Sequence, residues 1–167
     1  MAWAALITVL LEDAVYVVLI RAQAAAAPDK YTVPFVVAYL LLMAALLGIS
    51  LAGRAAWRMP LRAGAAGGLL VLGIIAAFSI GLPLIFAGIL ATGASVRTLK
   101  GPLWTPAGLF GAAAAAAAVA VLVAGFEVTE RIIVCPSTGT MSGGGTGFVT
   151  GPYRYECVDG RLSFRSG

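Results

Sequence analysis

The residues best suited to chemistry stand near the start of the chain, where Glu12 and Asp13 interrupt an otherwise apolar run of residues 2–20. A charged carboxylate at the centre of a bilayer costs roughly 2.5–3.5 kcal/mol on insertion scales, so it is usually paired, protonated or turned toward a cavity. The functional interpretation of the pair is proton or cation handling. The alternative is that the first helix lies off-centre, or that the acids meet a basic residue of a partner chain and serve assembly. The scarcity of other polar residues within the apolar runs favours this alternative.

The two cysteines, Cys135 and Cys157, both fall in the polar tail, residues 126–167. Redox-active pairs are closely spaced, as in Cys-x-x-Cys, whereas these two are far apart. Their spacing favours a structural disulfide in an oxidising compartment, and a membrane thiol oxidoreductase remains an alternative. The chain has no histidine, the commonest general base and metal ligand. We therefore predict no catalytic residues, no metal site and no cofactor.

The three successive glycines 143–145 are the remaining candidate for ligand chemistry. A phosphate-binding loop needs a Lys-Ser/Thr pair after its glycines and a helix that starts there. Neither follows in this chain. The sequence therefore predicts a flexible, glycine-rich loop over residues 137–147.

Composition places most of the chain in a membrane. Hydrophobic residues make up 61% of the 167 residues and charged residues 11%, against about 25% charged in ordinary globular domains. The net charge of +4 is dispersed among short connections, so it does not indicate nucleic-acid binding. Nine of the eleven basic residues are arginine, and alanine and glycine are abundant. This usage is typical of a high-GC bacterium, so we predict a multi-pass protein of the bacterial plasma (inner) membrane.

The apolar runs predict four membrane spans of about 20 residues or more. They cover residues 2–20, 33–51, 63–92 and 106–125, with a basic loop at 54–62. The fold class is therefore an all-α integral membrane four-helix bundle over residues 1–125, followed by a small C-terminal β-hairpin or three-stranded module over residues 126–167.

The third span carries two features of its own. Gly73, Ala77 and Gly81 recur at four-residue spacing, which predicts a small-residue stripe for close helix packing and self-association. Pro83 lies within the same run, where it removes one backbone hydrogen bond and frees the carbonyl of Ser79. We therefore expect a helix kink between Ser79 and Pro83.

The strongest local signal in the tail is Asp159-Gly160, which lies between two alternating segments. It predicts a two-residue type I′ hairpin. Pairing outward from this turn places Tyr155 opposite Phe164, with Tyr153 on the same face. These three aromatic residues form either a partner-docking patch or a cover for the helix ends.

A lone hairpin is marginally stable in water, so this one needs support. The β-branched segment 128–134 predicts a third strand. A disulfide closing a loop of this size would add roughly 3 kcal/mol in the loop-entropy model.

Four spans would place both chain ends on one side of the membrane, and the basic residues then divide almost equally. With the tail outside, four face the cytoplasm and three face outward: Arg21, Lys30, Arg97 and Lys100 against Arg54, Arg58 and Arg62. The tail cysteines favour an oxidising compartment. We predict an extracytoplasmic tail.

These observations predict a small non-enzymatic membrane protein that presents a crosslinked β module. It would serve as an accessory or scaffolding subunit, partnered by the lipid bilayer and by a second copy or another membrane protein. The main alternative is a transporter or channel component that uses Glu12 or Asp13.

Overall fold

The computed structural model describes residues 1–23, 31–77, 81–98 and 105–166. The chain divides into two compact units. The first holds the described residues up to 23 and from 36 to 122, and the second holds residues 31–35 and 123–166. The first unit is helical, whereas the second combines helix ends with a small sheet.

The described residues form five helices. They are α1 Ala2–Gln23, α2 Thr32–Ala52, α3 Ala55–Ile75, α4 Gly81–Thr98 and α5 Pro106–Arg131. Each is long and apolar enough to cross a membrane, which indicates a membrane protein. The predicted count of four spans is therefore wrong by one helix.

The error lies in the third span, residues 63–92, which the chain divides between α3 and α4. A helix of 30 residues would be about 45 Å long, well beyond a hydrocarbon core of about 30 Å. The chain turns back instead, and α3 and α4 pack against each other. The basic segment 54–62, predicted as a loop, supplies the N-cap and first two turns of α3.

The small residues of that span lie around the turn between the two helices rather than along one helix face. Gly73 lies near the end of α3, Ala77 in the turn, and Gly81 at the start of α4. The Gly81 N–H donates to the carbonyl oxygen of Ala76 at 2.8 Å. A Cβ on Gly73 would lie 2.9 Å from the backbone nitrogen of Ile85 in α4. The close approach therefore occurs, but within one helical hairpin.

The kink predicted within one long helix is also corrected, because the predicted span is divided between α3 and α4. Pro83 is the third residue of α4, where a backbone N–H has no partner within the helix, so proline is tolerated without a bend. Ser79, the other residue assigned to the kink, lies outside the described residues.

Glycines of α3 bring it close to its neighbours in the first unit. Gly68 lies against the side chains of Tyr39 and Met43 from α2, and Gly64 lies against Ala114 of α5. The Tyr39 hydroxyl donates to the carbonyl oxygen of Ala118 at 2.9 Å, which ties α2 to α5. Because side chains this small let helix axes approach, the core depends on backbone proximity as much as on large apolar residues.

The second unit contains a three-stranded antiparallel sheet in the order β1-β2-β3. The strands are β1 Thr140–Gly147, β2 Gly151–Val158 and β3 Arg161–Ser166. Asp159 and Gly160 both have positive φ, 45° and 78°, as a type I′ turn requires. Tyr155 pairs with Phe164. The predicted hairpin and its register are confirmed.

The third strand is not the one predicted. Residues 128–131 continue α5, and 132–134 are neither helix nor strand, because β branching lowers helix propensity only slightly. An ion pair four residues apart, Glu127 to Arg131 at 3.6 Å, supports the extra turn. The glycine-rich segment predicted as a loop supplies β1 instead.

Candidate functional site

The second unit encloses a cavity of about 420 Å³ between the last turns of α5 and the inner face of the sheet. Its volume falls within the usual range for small-molecule sites, roughly 300–1,000 Å³. Its walls combine aromatic rings, aliphatic side chains, one carboxylate and the glycine backbone of β1. The side chains that define its chemistry are Tyr31, Phe126, Glu130, Met141, Tyr153 and Tyr155.

The glycines of β1 create the room that the tyrosines of β2 occupy. Gly143 pairs with Tyr155 and Gly145 pairs with Tyr153. A Cβ on Gly145 would lie 2.7 Å from the Tyr153 hydroxyl oxygen, and one on Gly143 would lie 2.5 Å from that of Tyr155. Aromatic rings lying over edge glycines are a known way to stabilise strands that have no side chains of their own. The glycine run is therefore a platform for two rings.

Tyr153 connects the sheet to the end of α5 and to β3. Its hydroxyl donates to the carbonyl oxygen of Glu130 at 3.3 Å. Its ring stacks on Phe164 with centroids 5.5 Å apart and planes inclined by 16°. Tyr153 and Tyr155 are half-buried, whereas Phe164 is 43% exposed. The three residues predicted as one aromatic patch thus divide between the cavity wall and the outer edge.

Glu127 holds the turn between β1 and β2 against α5. Its carboxylate accepts hydrogen bonds from the Val149 backbone N–H at 3.4 Å and from the Thr150 hydroxyl. Beside it, the Phe126 ring lies 6.3 Å from that of Phe148. Both ends of the sheet's inner face are therefore fixed to the helix, one through Glu127 and the other through the cysteines.

Cys135 and Cys157 form the predicted crosslink, with sulfur atoms 2.07 Å apart and Cα atoms 5.5 Å apart. Cys157 is fully buried, while Cys135 follows α5 by four residues. The disulfide joins the central strand directly to the segment that leaves the helix.

The acidic pair of α1 lies far from this site in the sequence. Buried residues of α1 recur every three or four positions, at Ala2, Ala5, Val9 and Asp13, and α1 packs against α4. Asp13 is therefore on the packed face, with 8% of its surface exposed. Its Oδ1 atom has no hydrogen-bond partner among the described residues. Glu12 is half-buried beside it.

Three charged residues with structural roles escaped the sequence interpretation. Glu127 and Glu130 belong to α5, and their position after a long apolar run was a usable signal for a helix end. Arg62 donates from Nε to the Ser50 hydroxyl and from a terminal guanidinium nitrogen to the Ala94 carbonyl oxygen, both at 3.3 Å.

The described residues contain no cluster of three or more His, Cys, Asp or Glu side chains that could hold a metal ion. Together, fold and cavity define a helical membrane protein with a small, crosslinked β module. Comparisons of the chain with protein-family models, with curated proteins and with solved structures found no match.

Proposed function

We propose that this chain is a non-enzymatic integral membrane protein that docks a partner through its crosslinked sheet, as an accessory subunit of a membrane complex or of a homo-oligomer. The observation that carries the proposal is the exposure of two apolar side chains on β3. Leu162 and Phe164 are 46% and 43% exposed on a strand whose outer edge pairs with no described strand. Exposed apolar side chains on a rigid edge are typical of interaction sites.

In-cell photo-crosslinking tests this docking surface. A benzophenone amino acid replaces Phe164 in one variant and Ser163, on the opposite sheet face, in the control. We expect a discrete adduct from position 164 and a much weaker one from position 163. Equal adducts from both positions, or none from either, would count against docking through this face. The adduct's mass distinguishes a second copy from another membrane protein.

The five helices also bear on the orientation of the chain. If all five cross, Arg54, Arg58, Arg62 and Arg97 lie on the side of the N-terminus, whereas Arg21 and Arg131 lie on the side of the tail. Lys30 and Lys100 lie outside the described residues. The excess of basic residues marks the cytoplasmic side. The tail is then extracytoplasmic, in agreement with the oxidising compartment that a disulfide favours.

Thiol labelling in intact cells tests the orientation. Because the only two cysteines are bonded, an impermeant maleimide should label the chain only after an impermeant reductant is added. Labelling that requires permeabilised cells would place the tail in the cytoplasm and overturn the assignment.

A second candidate function is proton or cation handling, favoured by Asp13. A buried carboxylate oxygen that lacks a partner in the described residues is the arrangement expected of an intramembrane ion-handling group. Flux in proteoliposomes should fall in an Asp13→Asn variant and persist in a Ser142→Ala control on the outer sheet face. Flux that survives replacement of both Glu12 and Asp13 by Gln and Asn would exclude the role.

A further inference from the structure

Helices α3, α4 and α5 of the first unit form a narrow groove of about 300 Å³. Most of its described lining residues are glycine or alanine, and none of them is charged. The two hydroxyl groups in its wall, those of Thr92 and Ser95, donate to the carbonyl oxygens of Gly88 and Ala91 in their own helix, at 2.8 and 2.9 Å. The wall therefore offers an occupant apolar surface and few polar partners.

The dimensions of the groove favour a thin occupant. Its lining along α3 runs from Met59 to Leu70, a length of about 17 Å at the rise of an α-helix. A volume of about 300 Å³ spread over that length leaves a channel only a few ångströms wide, whereas a helix with its side chains is about 10–12 Å across. Val96 and Ala112 in the lining are exposed, so a hydrocarbon chain of the bilayer can enter from the side.

One end of the groove reaches an arginine-rich end of the helices. Met59 and Val96 line the groove, and their sequence neighbours Arg58 and Arg97 are exposed. No aspartate or glutamate occurs between residues 30 and 126. The positive charge at this end of the groove is therefore uncompensated by any acidic residue in that part of the chain.

The start of α3 adds to this positive field. Arg54 is the N-cap of α3, and no side chain caps the helix there. The first backbone N–H groups of a helix lack partners within the helix and favour anions. Trp57 is 65% exposed in the same turn, as is typical of residues at the depth of lipid headgroups. The arginine-rich end therefore matches an anionic headgroup in both charge and depth.

We propose that this groove binds one acyl chain of an anionic phospholipid, whose phosphate is held by Arg58 and Arg97. Basic sites between membrane helices are known to bind acidic headgroups. A zwitterionic lipid has no net charge to balance the arginines, and a second copy of the chain would bring further arginines to the same place. The inference depends neither on docking through β3 nor on ion handling by Asp13.

Native mass spectrometry of the full chain in detergent tests the headgroup. Phosphatidylglycerol and phosphatidylcholine with identical acyl chains are titrated in parallel. We expect one phosphatidylglycerol to bind about tenfold more tightly than phosphatidylcholine. Equal binding of the two lipids would overturn the proposal.

A matched pair of variants tests the arginine. Arg97→Gln should weaken phosphatidylglycerol binding about fivefold and leave phosphatidylcholine binding unchanged. Arg161→Gln removes the same charge from an exposed position of β3 and should change neither. Equal losses in the two variants would show a response to net charge alone and would count against a site at Arg97.

A second pair tests the groove. Ala112 and Ala113 are both exposed on α5, but Ala112 lines the groove and Ala113 does not. Ala112→Phe should fill the groove and weaken phosphatidylglycerol binding about tenfold, whereas Ala113→Phe should bind normally. Identical binding by the two variants would contradict occupation of the groove. If Ala112→Phe separates a dimer and binds the lipid normally, the groove holds a second copy and the proposal fails.

The unmodified chain provides a test that does not depend on how a variant folds. Phosphatidylglycerol with a diazirine in its acyl chain is photolysed with the protein, and the adducts are mapped by mass spectrometry of peptides. We expect adducts concentrated on the groove-facing segments 59–70 and 108–115. Adducts spread evenly over all five helices would overturn the proposal.

Discussion

At the scale of single residues, the tail depends on positions where a side chain is missing. Gly143 and Gly145 face the rings of Tyr155 and Tyr153 across the β1–β2 ladder. Glycine in a strand normally weakens it, because it loses more chain entropy and packs nothing. Here the ring of a neighbouring residue supplies the packing, so the glycine is required by its partner.

Gly143→Val should therefore destabilise the sheet although valine is a better strand former. A Cβ at this position would overlap the Tyr155 ring, and overpacking of this kind costs about 1–3 kcal/mol. Hydrogen exchange of the β1 and β2 amides should become faster. Ser142→Val, on the opposite face of the same strand, is the control and should slow exchange or leave it unchanged. Equal effects at both positions would mean that the ring does not lie over the glycine.

The sequence predicted the turn between β2 and β3 correctly but predicted strand β1 as a loop. The Asp159-Gly160 turn requires positive φ at two adjacent residues, a demand that those two residues satisfy locally. No residues within β1 favour a strand in this way, since its stability comes from Tyr153 and Tyr155 in the neighbouring strand. A glycine-rich segment is indistinguishable from a loop until its cross-strand partner is known.

At the scale of elements, the hairpin of α3 and α4 is the main difference between expectation and structure. The apolar run of residues 63–92 has the composition of one long span, and its turn at 76–77 contains only alanines among its described residues. No proline, asparagine or charge marks the reversal there. What identifies it is length, together with glycines that permit close contact between the two helices.

Gly73→Ala should destabilise this hairpin. The added Cβ would lie 2.9 Å from the Ile85 backbone nitrogen and 3.0 Å from the Gly81 carbonyl oxygen, so the helices must separate. We expect a loss of about 1–3 kcal/mol, seen as a lower unfolding temperature of the purified protein in detergent. Gly48→Ala is the control, because its Cβ would meet no atom within 4 Å, and its stability should be unchanged or slightly higher. A Gly73→Ala protein as stable as that control would contradict the close approach.

At the scale of the whole molecule, the chain joins a helical unit and a sheet-containing unit of different construction. The helices are held by small residues and apolar contact, which a bilayer supports. The sheet is held by one disulfide, two tyrosines and the carboxylate of Glu127. The sequence predicted both kinds of construction and the crosslink, because composition and cysteine placement are global signals. The cavity escaped prediction, since its walls come from segments distant in sequence.

Replacing both cysteines by serine should affect the two units differently. The loss of a crosslink spanning 22 residues removes about 3 kcal/mol from the tail in the loop-entropy model. Amide exchange in β1–β3 should become faster, while helix content and detergent stability of the bundle stay unchanged. Matched exchange rates before and after the change would show that the crosslink is dispensable. If an activity is found, its loss in this variant with the tail still folded would favour the thiol oxidoreductase alternative.

The disulfide also determines how mechanical tension passes through the tail. Cys135 stands four residues beyond α5, and Cys157 ends the inner-face positions of β2, so a pull applied at β3 reaches the helix through the sulfur atoms. The residues between the two cysteines, which include all of β1 and most of β2, lie outside this load path. A partner that pulls on β3 would first separate that strand from β2 and break the ring contact between Tyr153 and Phe164. The force would then reach α5 through the disulfide, while strand β1 remains outside the covalent load path.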